Sequence, residues 1–340
     1  MLDIHAKASQ ADSRIIIRGD YPGDKGIIWG GHIIGGVEVD QSWVDVGDNT
    51  YSTISYNTSG YYYFEDVTTT SRILLTKVGS LQECKGTTGS YYSPTFSYPD
   101  ILYVHCSDNG DPTDRIVAPV KGWSIYLTDQ QYITFKDIEF YLPSFFNIGG
   151  YIRWEGCKLW YMPNSMRLWD GTHHLEFVGC DRAYGNNGFH IADNKPRGID
   201  APNNITISNC KIHDIGVYGE DGDSEGIGTN GVDNLTVENC EFYNCGTAYA
   251  SYPYAGSTNK NIIIRWNYVH DMHQFGKAGR GTGFEIGISP DNESDFSGNQ
   301  IYGNIVANVP GRGYHCNYDL YEVAFYNNIA YKCSQSFYFS

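Results

Sequence analysis

Four side chains able to transfer protons or bind anions recur at matching places in the second half of the sequence. They are Arg167, His190, Glu285 and His315, each between two apolar or bulky residues, and Gly228 holds the same place in an intervening segment. Alternate side chains of a strand leave opposite faces, so these four should share one face while their neighbours enter the core. Histidine and glutamate act as general acids and bases, and arginine binds anions. We therefore predict a functional row on an exposed strand face.

Two long loops, residues 213–228 and 270–285, align with each other without gaps, and a much shorter passage separates them. We predict a cleft between these loops, floored by residues 249–254. When the two loops are aligned, Glu220 matches Lys277 and Asp223 matches Arg280. Two interpretations stay open: ion pairs that tie the loops together, or basic residues that hold an anionic ligand beside acids that perform chemistry.

The elements that carry these residues repeat along the chain. Each repeat is an alternating strand followed by a Gly or Asn corner, a second short strand, a loop and a third strand. The first strands begin at Ile133, Ile152, Leu175, Ile205, Leu235, Ile262, Ile301 and Phe325. Their spacing is too irregular for a helical repeat of fixed length but suits coils with variable loops. The pattern predicts an all-β fold, a right-handed, single-stranded parallel β-helix.

Asparagines mark the corners of successive coils. We predict that Asn209, Asn239, Asn267, Asn304 and Asn328 stack inward and bond successive coils through their amides. Residues 204–206 and 234–236 match the glycosylation sequon, but each begins a coil, so we interpret their asparagines as turn residues.

The cysteines follow the same repeat. Cys157, Cys180, Cys210 and Cys240 each come just after a corner, so we predict a buried stack and no metal site. We expect the stack to continue at Tyr268, Ile305 and Ile329. The nine cysteines include no CxxC pair.

The first third of the chain lacks the clear repeat. We predict three parts: β-helix coils over residues 1–42, an inserted or leaning β-rich subdomain over 43–120, and β-helix coils over 121–340 that carry the cleft.

Composition limits the partners and the location. The formal net charge is −16, which argues against a nucleic-acid backbone as partner. No apolar stretch is long enough for a membrane span, and the first ten residues lack the features of a secretory signal. The chain nevertheless ends inside a strand pattern, so we expect a piece of a longer protein, located outside the cell, in a periplasm or on a virion. We expect a monomer or a homotrimer.

No cofactor is required by these patterns. An acidic turn at Asp291, Glu293 and Asp295 offers carboxylate oxygens of the kind that Ca²⁺ prefers, without the spacing of an EF-hand. It is a weak candidate for a calcium site.

Three stretches carry a family resemblance: RGDYPGDKGII at 18–28, LYVHCSDNGDP at 102–112, and YITF at 132–135, which opens the coils. Together they resemble the pectate-lyase-like β-helix proteins of bacteria and phages, many of which are glycoside hydrolases or polysaccharide lyases. The resemblance implies that carbohydrate lies along the outer face of the third strands. The chain departs from the family in lacking both the paired-Asp and Gly-His-Gly pattern of polygalacturonase-like enzymes and the Arg-x-Pro-x-x-Arg pattern of pectate-lyase-like ones.

The resemblance leads to a first hypothesis, a glycoside hydrolase acting on a polysaccharide or oligosaccharide. Such an enzyme needs one carboxylic acid and a second carboxylate as base or nucleophile. Glu285 is the central candidate, with Asp223 or Glu225 as its partner. The residues expected to contact sugar by stacking or hydrogen bonding are Trp169, Tyr249, Tyr252, His190 and His315.

Two alternatives stay open. In a polysaccharide lyase, His190 or a tyrosine would remove the proton beside a uronate carboxyl, and Arg167, Arg280 or Arg312 would neutralise that carboxyl. In a non-catalytic glycan-binding module or phage tail-type β-helix, the same face would only grip sugar or pack in a trimer.

Overall fold

The computed structural model describes most of the coils and part of the N-terminal third. The described residues are 15–18, 26–29, 42–55, 63–65, 73, 75–94, 100–114, 118–119, 123–127, 130–141, 143–146, 149–160, 162, 165–192, 200–216, 224–252, 257, 259–273, 281–287, 296–316 and 323–339. The chain divides into two compact units, one of Met1–Ile28 with Ser124–Ser340 and one of Trp29–Trp123.

The larger unit is a parallel β-helix whose strands form three stacked columns. Sheet 1, the first column, contains every first strand that the repeat predicts and an additional one near the N-terminus. Its strands, in spatial order, are Ile15–Arg18, Ile133–Lys136, Gly150–Glu155, His173–Val178, Asn203–Ser208, Val232–Glu238, Ile263–Arg265, Gln300–Tyr302 and Ala324–Tyr326, with Asn259–Lys260 also paired to Val232–Glu238.

Sheet 2 is the second column and follows the corner of each coil. Its strands are Gly26–Trp29, Ile138–Tyr141, Lys158–Trp160, Asp181–Gly185, Lys211–Ile215, Glu241–Cys245 and Tyr268–His270, followed by the first halves of Ile305–Cys316 and Ile329–Phe339.

Sheet 3 is the third column and carries the predicted functional row. Its strands are Met166–Leu168, Phe189–Ile191, Glu225–Thr229, Thr247–Ser251 and Thr282–Ile286, followed by the second halves of the same two long strands. The long strands therefore join sheets 2 and 3 at the C-terminal end. Trp123–Tyr126 and Pro143–Phe146 form a separate two-stranded sheet.

Apolar, aromatic and cysteine side chains fill the interior of the coils. Aromatic rings stack from coil to coil, as in Trp154 on Phe177, whose ring centroids are 4.5 Å apart. In sheet 3, Phe284 and Phe337 stack on the two faces of Tyr314. Alternation thus places one side chain of each pair inside and leaves its neighbour on the outer face.

A ladder of cysteines and asparagines runs up the corner between sheets 1 and 2. The backbone N–H of Cys180 donates to Sγ of Cys210, and that of Cys210 to Sγ of Cys240, both at 3.4 Å. The ladder continues through the side-chain oxygens of Asn267 and Asn304, each accepting from the residue one coil before it. The predicted buried cysteine stack is therefore confirmed.

The predicted continuation of this stack is wrong by one residue. Tyr268, Ile305 and Ile329 are 42%, 42% and 55% exposed, and Asn267, Asn304 and Asn328 occupy the inward place instead. The reason lies in the turn residue just before the inward place, which has a positive φ in these coils. Asn209 and Asn239 occupy that position, with φ of 54° and 52°, so they are turn residues rather than ladder members.

The smaller unit contains a five-stranded sheet, a two-stranded sheet and short helices. The five strands, in spatial order, are Val44–Asp45, Thr50–Ser55, Asp100–His105, Ser90–Tyr92 and Thr76–Lys77, and the two-stranded sheet pairs Tyr63–Phe64 with Ala118–Pro119. The helices are Leu81–Gly86 and the 3₁₀ turn Pro112–Asp114. Within the described residues, no helix has the length and apolar character needed to cross a membrane.

Candidate functional site

The outer face of sheet 3 aligns the residues that the sequence predicts to form a row. Strand register places Arg167 beside His190, His190 beside Gly228, and Glu285 beside His315. Ala250 occupies the place between Gly228 and Glu285. The column is therefore Arg167, His190, Gly228, Ala250, Glu285, His315 and finally Tyr338. The predicted alignment of these side chains is confirmed.

Glu285 lies at the centre of a group of polar side chains. The hydroxyl of Tyr252 donates to Oε2 of Glu285 at 3.4 Å, and Nδ1 of His315 lies 3.5 Å from Oε1. The sequence predicts that Glu285 and His315 point to solvent, and this is wrong: they are 0% and 2% exposed. Both point away from the core, but other side chains cover them. Tyr252 contacts Glu285, and Arg312 contacts His315.

Arg312 extends this group beyond His315. Its Nη1 lies 2.9 Å from Nδ1 and 2.8 Å from Nε2 of His315. Its Cζ lies 3.9 Å from the ring centroid of Tyr338, and its Nε donates to Oε1 of Gln335. A guanidinium held in this way supplies fixed positive charge beside the imidazole of His315.

A second carboxylate occupies the same outer face. Glu225 is 2% exposed, and its Oε2 lies 2.0 Å from the point where a Cβ on Gly228 would stand. The carboxylate therefore fills the space that glycine leaves in the column. Ser224, just before this strand, has a φ of 59°, so the chain turns sharply where Glu225 begins.

The opposite end of the column is basic and aromatic. Cζ of Arg167 lies 5.1 Å from the ring centroid of Trp169, and both side chains are half-buried. His190, also half-buried, lies between Arg167 and Gly228 in register. The two carboxylates thus lie between the basic groups at the two ends of the column.

Tyr249 does not line the cleft that the sequence predicts. It is 1% exposed and belongs to the core, in register between Ile227 and Phe284. Its hydroxyl lies 3.0 Å from Oγ1 of Thr229, which lets a tyrosine fit the interior. Burial raises the pKa of Tyr249 above its ordinary value, and the nearby negative charge of Glu225 adds to that rise.

Several predicted site residues lie outside the described residues. They are Glu220, Asp223, Lys277, Arg280, Asp291, Glu293 and Asp295. In the part of the chain that the structure describes, no three His, Cys, Asp or Glu side chains are grouped so as to hold a metal ion.

Sequence reasoning missed Tyr338 and Gln335, which contact Arg312. The signal was the alternation at the end of the chain, where Phe337 and Phe339 flank Tyr338 as Tyr314 and Cys316 flank His315. Extending the predicted column by one more coil would have included Tyr338.

Three solved structures resemble this one. XylC in complex with xylose has 13% identity and a TM-score of 0.52, with 91% of this chain and 61% of XylC covered. An alginate lyase from Paenibacillus sp. str. FPU-7 has 13% identity, a TM-score of 0.44, and coverage of 65% and 76%. A GH136 lacto-N-biosidase from Eubacterium ramulus has 10% identity, a TM-score of 0.30, and coverage of 65% and 52%.

At such identities the likeness to XylC concerns the fold alone, and this chain spans about three fifths of the length of XylC. A comparison with curated protein sequences finds no match. The family model described as "right handed beta helix region" matches residues 123–330, which include the described strands of sheets 2 and 3 from Ile138–Tyr141 to Ile305–Cys316. The stacked parallel columns and this match agree, and the chain belongs to the right-handed β-helix family.

Proposed function

We propose that the protein is a carbohydrate-active enzyme that hydrolyses glycosidic bonds at the outer face of sheet 3. The observation that carries this proposal is the presence of two buried carboxylates, Glu225 and Glu285, on that one face. Glycoside hydrolysis uses a pair of carboxyl groups on either side of the scissile bond. The Trp169 ring and the basic groups at the ends of the column suit contacts with a sugar chain.

The spacing of the two carboxylates favours an inverting reaction. Gly228 and Glu285 are separated by Ala250, so their backbones are two strand spacings apart, roughly 10 Å. Inverting enzymes hold their carboxyl groups about 6.5–9.5 Å apart, and retaining enzymes about 5–5.5 Å. Side chains that lean toward each other across Ala250 would bring the carboxyl groups nearer than their backbones, toward the inverting range.

We assign Glu285 as the general acid and Glu225 as the general base. The Tyr252 hydroxyl and the His315 imidazole are close enough to Glu285 to return a proton after each turnover. Glu225, across Ala250, would activate water on the opposite side of the bond. Asp223 stays an alternative partner for Glu285.

A polysaccharide lyase is the second candidate, and the group around Glu285 favours it. A phenol and an imidazole that each lie near Glu285 are suitable for removing a proton beside a uronate carboxyl. Arg312, next to His315, would neutralise that carboxyl.

The test is to incubate the protein with neutral and acidic polysaccharides and follow reducing ends and the ultraviolet absorbance of unsaturated products in parallel. Reducing ends without absorbance identify a hydrolase, whereas absorbance identifies a lyase. Glu285→Gln and Glu225→Gln should each lower kcat by about 10²–10⁴-fold. Glu241→Gln, the same change on the outer face of sheet 2, is the control and should leave kcat unchanged. Full activity in Glu285→Gln would refute the assignment.

A further inference from the structure

A second groove lies on the outer face of sheet 1, away from the residues of the sheet 3 column. It encloses about 430 Å³, and we call it the amide groove. The residues that define it are Tyr151, His174, Asn204, Asn234, Thr206 and Thr236.

The groove is built by one position that repeats from coil to coil. Tyr151, His174, Asn204, Asn234 and Asn261 occupy that position and all have a left-handed backbone, with φ between 52° and 58°. Asparagine tolerates this conformation better than most residues, whereas a bulky residue such as tyrosine adopts it rarely. The repeated conformation lines up these side chains along the solenoid at a spacing of about 4.8 Å.

The groove has an aromatic end and an amide end. The ring of His174 stacks on Tyr151 with centroids 4.5 Å apart, and Tyr132 stacks on the other side of Tyr151 at 4.7 Å. Beyond His174, the amides of Asn204 and Asn234 follow, with the hydroxyls of Thr206 and Thr236 beside them. Within the described part of the chain, the side chains of Asn234, Thr206 and Thr236 make no hydrogen bond to protein.

The lining carries little uncompensated charge. Its carboxylate, Glu176, forms an ion pair with Arg153 of the neighbouring strand. Amides and hydroxyls both donate and accept hydrogen bonds, so a ligand with many hydroxyl groups suits this surface. The chain as a whole carries a net charge of −16, which does not favour an anionic ligand.

Other classes of polymer fit the groove poorly. A peptide that adds to a sheet needs a free strand edge, and here the backbone groups of sheet 1 are already paired with neighbouring strands. A nucleic acid needs basic side chains for its phosphates. A sugar chain needs neither, because its hydroxyl groups bond to amides and its ring faces stack on aromatic rings.

We propose that the amide groove is a non-catalytic binding site for an uncharged oligosaccharide that lies along the solenoid across successive coils. Its rings contact the His174 end, and its hydroxyl groups bond to Asn204, Asn234, Thr206 and Thr236. The site is separate from the sheet 3 column and does not depend on the reaction proposed there.

The test uses the double variant Asn204→Gly with Asn234→Gly. Glycine keeps the left-handed backbone without strain and removes only the amides. The matched control is Asn209→Gly with Asn239→Gly, the same change at turn positions with φ of 54° and 52° that lie outside the groove lining. Melting temperatures of both double variants verify that folding is intact.

Binding is measured by titration calorimetry with xylohexaose, cellohexaose, mannohexaose and laminarihexaose, and with pentagalacturonate as the charged probe. All proteins carry Glu285→Gln, so that turnover does not consume the ligand. We expect at least one neutral hexasaccharide to bind, with an affinity that falls about tenfold or more in the groove variant and is unchanged in the control.

Three outcomes would overturn the proposal: no binding of any neutral hexasaccharide, equal binding by the groove variant, or preference for pentagalacturonate. Cleavage activity is assayed separately, without Glu285→Gln, and should be the same in the groove variant as in the unchanged protein. Failure of groove binding and failure of the proposed hydrolase are therefore distinguished.

Discussion

Replacing Gly228 with alanine tests whether Glu225 belongs to the reactive site. The added Cβ would lie 2.0 Å from Oε2 of Glu225, whereas ordinary contacts begin at 3.4 Å. The carboxylate must therefore move by about 1.4 Å or the strand must shift. A misplacement of about 1 Å in a catalytic group can lower the rate about 10²-fold. We expect kcat of Gly228→Ala to fall by about that factor while the fold persists.

The assay is steady-state hydrolysis of the polysaccharide that gives reducing ends, with kcat and KM determined separately. Gly86→Ala is the matched control, because a Cβ at Gly86 meets no atom within 4 Å. A displaced base lowers kcat more than it changes KM, whereas a general loss of folding lowers the melting temperature. Unchanged kcat in Gly228→Ala, with the melting temperature also unchanged, would refute the role of Glu225.

Three further predictions concern the scaffold. Burial alone would lower the pKa of His213, but Asp181 and Asp214 raise it to about 9, above the unfolded value of about 6.5. This ion pairing therefore contributes its full stability below about pH 6.5, and the contribution is lost as pH rises through about 9. The urea midpoint of the unchanged protein should fall across that range, and the fall should be smaller in His213→Gln. Arg182→Met should destabilise the protein by about 3 kcal/mol or more in urea unfolding, because the buried guanidinium donates to several backbone carbonyls, each costly to leave unbonded; an unchanged midpoint would contradict this. Asn304→Ala should cost about 2 kcal/mol by the same measurement. The Asn304 amide accepts from Asn267 and donates to Ile264 in the preceding coil, and it donates to Asn328 in the following coil. A loss below about 0.5 kcal/mol would show that the ladder contributes little.

Much of the scaffold could be predicted because the interior of a β-helix imposes the same pattern on every coil. The alternation of residues 205–208 and 235–238 fixes which side chains are buried, and the structure pairs these two strands in that register. The same reasoning predicts that Glu285 lies next to His315, as the strand register shows. The corner was less predictable, because a cysteine and an asparagine fill the same inward place equally well.

The burial of Glu285 could not be predicted from strand alternation, because the contacting Tyr252 comes from a different coil and lies beyond the end of its strand. Tyr249 was misplaced for a related reason. Its coil has no long loop to mark the start of the strand, so either Tyr249 or Ala250 could face inward. The hydroxyl of Thr229 decides between them, because it gives the buried phenol a hydrogen-bonding partner.

The small residues of the sheet 3 column determine its shape as much as the large polar residues do. Gly228 and Ala250 are the two small members between His190 and Glu285, and they leave space where every other member is large or charged. Glu225 enters that space from the start of its strand, so both carboxylates lie in a region bounded by basic groups. Both are nearly inaccessible to solvent, so the proposed hydrolysis requires that the side chains covering them move. Tyr252 is the covering side chain in direct contact with Glu285, so movement of Tyr252 must accompany substrate binding if Glu285 is the acid.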